Sequence, residues 1–491
     1  MKKITLILML FCFALTSTTK ANNIQVNNIS LENLNDVSNW VHVEFDLFWE
    51  NSWRISSGPS NWDAAWVFIK YRVNNGTWTH GIISQANSVA ATGAEIEVTS
   101  DGIGAFIYRS TDGSGNVNFQ NNQIRWNFGS TDTNDIIDIQ VFAIEMVYVP
   151  EGSFYVGGTT GDEANKFHSG GFSTASSFRI TSENALTVAN TSGNLYYTAT
   201  NSNGGDQTGV LAASYPKGFN DFYAMKYEVT EGQWLAFFNS LTENQKTNRD
   251  ITDATHKNSD AVISRNTISW TGGTASATST APDRAVAYLD ISDMNSYMDW
   301  TGLRPLSELE YEKACRGPIL PKPGEFAWGS ANIASNDYTI VNSGFSSERV
   351  TNPETNTGNA MYSLTNGTID GPLRNGIFAA SAVNNNREET GGSYYGIMEL
   401  SGNLYERVVT VGTAQGRNFT GLHGNGIISS TTGNGTVSNW PNNTTGDGYS
   451  FRGGSWLNGA DFIRVSDRFD GASIIASGNN RLGFRAARTA P

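Results

Sequence analysis

Between residues 41 and 50 the chain alternates. Val41, Val43, Phe45, Leu47 and Trp49 are interleaved with His42, Glu44, Asp46, Phe48 and Glu50, the period of two expected of a strand with one buried face. Residues 65–73 (AWVFIKYRV) repeat the signature, and Asn74-Asn75-Gly76 supplies a turn into Thr77-Trp78-Thr79. Further short strands are expected at 94–98, 103–108, 123–128 and 136–142. Six or seven strands joined by Gly/Asn turns predict an antiparallel β-sandwich over residues 22–143. Seven of the 13 tryptophans fall here, at positions 40, 49, 53, 62, 66, 78 and 126. They could form an aromatic sugar-binding surface or fill a small core; their places in strand patterns favour the core.

From residue 144 the pattern changes. A short apolar run, 146–150, leads into a turn at Gly152-Ser153, and Asn/Gly/Ser/Thr-rich stretches follow at 157–210, 252–281, 340–395 and 411–450. Only two or three helices interrupt them. Thr230 and Gln233 form a capping box ahead of Trp234, Phe237, Phe238 and Leu241, a stripe at helical spacing. Ser292 is the expected cap of a second helix carrying Met294, Tyr297, Met298 and Trp300, and Ser307 with Glu310 caps a third over 309–315. So much irregular chain in a compact domain requires something to tie the loops down.

The first residues bear on compartment. Lys2 and Lys3 precede an apolar run over 4–15, and Thr19-Lys20-Ala21 places small residues at the −3 and −1 positions of a cleavage site before Asn22. The run falls short of the roughly twenty residues that span a bilayer, so residues 1–21 are expected to be a signal peptide. Export to the periplasm, the cell surface or the medium follows, with no transmembrane segment after cleavage. Losing the leader removes three lysines and no acid, moving net charge from −14 to −17. A chain this acidic has no electrostatic footprint for nucleic acid, whereas carboxylates and carbonyls suit a hard divalent cation. Beyond the leader only Cys315 remains, so no internal disulfide can hold the loops. The five histidines, at 42, 80, 168, 256 and 423, show no pair at metal-ligand spacing.

Seven collinear blocks carry a resemblance. They are MVYVPEGSFYVGG (146–158), FYAMKYEVTEGQWLAFFNSL (222–241), RAVAYLDISDMNSYMDWTGLRPLSELEYEKACRG (284–317), EFAWGSANI (325–333), YGIMELSGNLYERV (395–408), FRGGSW (451–456) and RLGFRAAR (481–488). In this order they resemble the sulfatase-modifying-factor domain that includes formylglycine-generating enzymes. The arrangement with a preceding sandwich is similar to exported Bacteroidota members. The resemblance implies an elaborated C-type-lectin fold with few helices, long loops and bound calcium. The expected fold class is α+β: an antiparallel sandwich at 22–143, then a loop-rich lectin-like domain at 144–491.

The family's active members oxidise a substrate cysteine at a copper site held by two thiolates, which suit Cu(I). Their positions, third and eighth after Ser455, fall here on Asn458 and Ile463. No catalytic residue is therefore expected, and copper is not expected; Cys315 reads as a buried structural thiol. An iron-dependent branch of the family uses histidines and a helical N-terminal domain, which the β pattern does not match. The calcium signature persists: the implied ligands are the Glu399 and Glu406 side chains and the Gly402 and Leu404 carbonyls. A second site would use Asn332 and the Ile333 carbonyl. The arginines of the RGGSW and GFR blocks read as structural. The segment between those blocks would offer a binding face at Asn458, Asp461, Arg464, Asp467 and Arg468. The function expected is a catalytically inactive envelope binding or assembly protein, its partner an envelope protein or a glycan. An oxidoreductase of the same family is the alternative.

Overall fold

The computed structural model describes residues 23–129, 131, 135–159, 163–441 and 444–491; the expected leader lies outside them. Eight strands form the N-terminal third: β1 (Gln25–Asn35), β2 (Trp40–Arg54), β3 (Asp63–Val73), β4 (Thr79–Val89), β5 (Ala94–Val98), β6 (Ala105–Arg109), β7 (Gly113–Asn127) and β8 (Ile137–Val149). One layer runs β1-β2-β7-β4; in the other β3 lies between β8 and β6, and β5 pairs β6. Every one of these pairings is antiparallel. β4 belongs to both layers, pairing Gly81 with Ile69 and then Ile82 with Asn127. Between the layers lie the alternating residues Val41, Val43, Phe45, Leu47 and Trp49, with Ala65, Val67 and Ile69 of β3 and Ile124 and Trp126 of β7. Strand β1 was illegible in the sequence because bulges, with Asn28 and Asn33 at positive φ, break its period.

β3 is buried along most of its length. Its second face, with Ala64, Trp66 and Phe68, joins Phe106 of β6 and Met146 of β8 in a core shared with Trp234, Phe237, Tyr297 and Trp300. Trp300 makes T-shaped contacts with Phe68 and Phe142, the ring centroids 5.2 and 4.8 Å apart. Trp66 Nε1 donates to the Thr301 carbonyl at 2.8 Å. Gly302, at φ 74°, ends the helix Ile291–Thr301 so close to Ile103 that a Cβ would lie 2.3 Å from its Cγ2. β8 also continues past the sandwich: it pairs with β3 from Ile137 to Val147 and, on its other side, with the strand Phe222–Met225. That strand pairs with Ala486–Thr489, which pairs with Arg304–Pro305. The expected boundary at 143/144 thus falls inside one strand, and the two units share a sheet and a core. Lys226 seals the junction, 3.4 Å from Asp63 and 3.2 Å from Glu145.

In the second unit the helices Glu231–Asn239, Glu243–Asn248, Ile291–Thr301 and Glu308–Arg316 stand among loops. Thr230 and Ser307 cap as their capping boxes predict. The middle helix differs: Asp290, not Ser292, is its cap, and Asp293 completes the box. A three-stranded sheet sets Tyr405–Val409 between Tyr449–Arg452, antiparallel, and Leu482–Gly483, parallel.

Candidate functional site

The turn before Tyr405–Val409 places Glu399, Gly402 and Asn403 at φ 52°, 87° and 66°. Three left-handed residues in five fold the backbone back sharply, a conformation that glycine and asparagine tolerate and glutamate rarely adopts. The turn is braced on several sides. Asn403 Oδ1 accepts from the Leu373 amide at 2.8 Å, and the Gly402 amide donates to the Gly453 carbonyl at 2.8 Å. Glu228 accepts from the Leu404 amide at 2.8 Å and from Asn403 Nδ2.

The two expected acidic ligands are buried here. Glu399 Oε1 accepts from the Gly376 amide at 2.9 Å, and Glu406 Oε1 accepts from Arg485 Nε at 2.6 Å. The other oxygen of each, Glu399 Oε2 and Glu406 Oε2, is buried without a hydrogen-bond partner among the described residues. Burial pushes the Glu399 carboxyl up to about 7 against the pull of Arg485. Burial, and then the negative charge of Glu406, holds Glu228 well above the usual carboxylate range. Glu406 is raised by burial too, although Arg485 lies against it. Glu399 lies under the influence of both Arg485 and Arg374, and the two buried oxygens without donors are the kind of group a hard cation would satisfy. The turn offers carboxylate oxygens of the kind calcium takes.

The second expected site is arranged otherwise. Asn332 is exposed, and its amide donates to Glu388 at 3.2 Å. Its carbonyl accepts from Trp328 Nε1 at 2.9 Å and from the Gly358 amide at 3.2 Å. Beyond Ile333, the Ser335 and Asn336 amides both donate to Glu354 Oε1 at 2.8 Å. None of these bonds uses Asn332 Oδ1 or the Ile333 carbonyl, the two expected ligand atoms.

The two thiolate positions have acquired structural jobs. Asn458 Oδ1 accepts from the Ser455 hydroxyl at 2.5 Å and amide at 3.2 Å, closing the turn after RGGSW. Ile463 packs against Phe326, Trp328, Ala360 and Tyr362. An amide tied into a turn and an alkane in a core cannot hold copper. Cys315 lies buried in Glu308–Arg316, its thiol pushed up to about 12 by burial, the opposite of an activated thiolate.

Only part of the expected binding face lies at the surface. Asp461 is exposed, and Arg464 pairs with it at 2.9 Å. Asp467 and Arg468 are buried and do not belong to any surface. Arg468 lies over the rings of Phe167 (4.1 Å) and Tyr197 (4.4 Å) and donates to the Asn165 carbonyl at 2.7 Å. Its Nη2 donates to Glu308 at 3.1 Å. Glu308 also accepts from Arg452 at 3.1 Å, Arg452 donates to Glu312 at 2.7 Å, and Glu312 pairs with Arg316 at 3.2 Å. A chain of buried ion pairs therefore runs along Glu308–Arg316 and ties the RGGSW segment to it. These glutamates carried no sequence signal of burial, because a helix reading SELEYEKACR looks solvated.

One cluster was missed altogether. His256, Asp290 and Asp293 bring three potential metal-ligand atoms within 4.8 Å of one another. The sequence shows no ligand spacing there because His256 reaches the aspartates from a separate loop. Elsewhere, a cavity of about 260 Å³ opens between the sandwich and the helices, lined by Phe68, Phe142, Met225, Tyr227, Tyr297 and Trp300 among others. Among the described residues no helix is long and apolar enough to cross a membrane.

The family model of the sulfatase-modifying factor enzyme 1-like domain matches residues 140–490. No curated protein matches the chain.

Proposed function

We propose that this chain, which belongs to the sulfatase-modifying factor enzyme 1-like family, is an exported binding or assembly protein that does not perform the family's cysteine oxidation. The observation that carries the reading is the occupation of the two thiolate positions by Asn458 and Ile463, each engaged in the fold. Oxidation at copper needs soft donors, and the remaining thiol, Cys315, is buried in a helix. Calcium at Glu399, Glu406 and the Gly402 and Leu404 carbonyls serves as a structural clamp. The apolar run over 4–15 supports export to the cell envelope. The surface around Asp461 and Arg464 is the part of the lectin-like face open to an envelope protein or a glycan.

The test is direct. Purified mature protein is incubated with a sulfatase-type cysteine peptide, with and without copper, and the products are read by mass spectrometry. No aldehyde above the no-protein control is expected. Its appearance in the copper sample would return the chain to the oxidoreductases of its family.

A further inference from the structure

The loop after Glu243–Asn248 carries His256 to the N-terminus of Ile291–Thr301. There His256 Nε2 lies 3.2 Å from Asp293 Oδ2 and 3.6 Å from Asp290 Oδ2. The side chain is 7% exposed, and Nε2 is buried without a hydrogen-bond partner among the described residues. The two carboxylate oxygens thus sit within ion-pair range of this nitrogen. In a tetrahedral zinc site, nitrogen and oxygen ligands about 2.0–2.2 Å from the metal lie roughly 3.3–3.5 Å from one another. The two distances bracket that edge.

The surroundings complete the pattern. Asp253 Oδ1 accepts from His256 Nδ1 at 2.8 Å, the carboxylate–imidazole contact that orients a metal-bound histidine and makes the far nitrogen the ligand. Arg249 Nη1 lies 3.0 Å from Asp293 Oδ1 and 4.0 Å from Asp290 Oδ1, so the guanidinium engages the oxygens that face away from His256. Asp290 Oδ1 and Asp293 Oδ2 also accept the amides of the capping box, which holds both carboxylates in place. Arg407, the other cation acting on these aspartates, spends its donors on the carbonyls of Ile475, Ala476 and Ser477. The Asp290 side chain is 29% exposed, leaving an approach from solvent.

We propose that His256 Nε2, Asp290 Oδ2 and Asp293 Oδ2 bind a divalent transition-metal ion of the zinc class, with water at the open position. An imidazole ligand favours such an ion over calcium, which prefers oxygen donors. The ion would pin the 249–256 loop to the helix end, about which the composition of the loop says nothing.

The experiment uses mature full-length protein, stripped with chelator and returned to millimolar calcium. It is titrated with Co²⁺ in the visible region and with Zn²⁺ by calorimetry. One equivalent of Co²⁺ should give the intense bands of a four-coordinate ion, displaced by Zn²⁺. Asp253→Asn should weaken zinc binding 10–100-fold, and His256→Gln should abolish the cobalt bands. The wild-type cobalt spectrum decides the matter even if a variant fails to fold. A spectrum matching aqueous Co²⁺, or zinc binding unchanged in both variants, would overturn the proposal. The cluster would then be an ion pair between imidazolium and carboxylates.

Discussion

Arg485 Nε donates to Glu406 Oε1 at 2.6 Å, and the second oxygen of Glu406 has no partner among the described residues. The guanidinium engages one side of the carboxylate and reaches on to the Lys226 carbonyl at 3.2 Å and the Glu399 carbonyl at 3.3 Å. Arg485 therefore braces the turn through one oxygen of Glu406 and the Glu399 carbonyl, and the second oxygen of each carboxylate accepts no hydrogen bond among the described residues. Glu406 serves the fold as well as the site, and it is the poorer choice for testing the site alone.

Calcium should raise the melting temperature measurably relative to excess chelator. A ligand binding only the folded state adds about 2.7 kcal/mol at a hundred times its Kd. Glu399→Gln keeps the acceptor for the Gly376 amide and removes the charge, so it should erase most of the calcium effect. Glu406→Gln also disrupts the pair with Arg485 and should destabilise the protein in chelator too. Calorimetric scans of both variants with and without calcium check this; identical wild-type scans in calcium and chelator would mean that no cation occupies the turn.

Residues 145–491 expressed alone should be insoluble or molten. Removing the sandwich strips β3 and β6 from a core that includes Tyr297 and Trp300 and exposes the edge of β8. The intact protein should melt in one main transition. Phe68→Ala should lower it as a whole by about 3–5 kcal/mol, read from urea unfolding followed by near-ultraviolet circular dichroism.

The buried ion chain makes two arginines in the same segment unequal. Arg452→Met leaves Glu308 and Glu312 without the cation that joins them and should cost about 3–5 kcal/mol. Arg464→Met removes a surface pair with Asp461, worth about 0–1 kcal/mol. Urea midpoints of the two variants should differ accordingly; equal midpoints would mean that the buried network contributes no more than the exposed pair.

In chelator, Asp467 and Glu399 should take stability away as pH rises toward 7, against the opposite pull of His80, His168 and His423, whose protonation burial disfavours. Burial pushes the Asp467 carboxyl, like that of Glu399, up to about 7. A carboxyl raised in the folded state contributes stability that is fully present below its unfolded value and lost as pH climbs through the folded one. Each such group changes stability by at most about 1.4 kcal/mol per pH unit. Asp467→Asn, which cannot ionise, should remove its share of that loss, and guanidinium unfolding of variant and wild type at pH 5, 6, 7 and 8 would show it. A variant with the wild-type slope would exclude Asp467 as a source of the loss.

The sequence by itself carried the sandwich core of β2, the two capping boxes at Thr230 and Ser307, the order of the family's blocks and the loss of both thiolates. Each of these is a property of neighbouring residues: a period of two reports a strand's own faces, a cap bonds three residues along, and a missing sulfur is missing in any fold. Tertiary structure decided the rest. It ran β8 through the expected boundary, because a strand's second edge is claimed by whatever chain arrives there, here Phe222–Met225. It buried Asp467 and Arg468, expected at the surface, because Glu308 and the rings of Phe167 and Tyr197 offered Arg468 partners at more than a hundred residues' separation. It also brought His256 to Asp290 and Asp293 across an irregular loop. Charged side chains show no periodicity that reveals their partners. Whether such a residue is solvated, paired or ligating is fixed by the course of distant loops, and that course is set by the whole core rather than by any local run of residues.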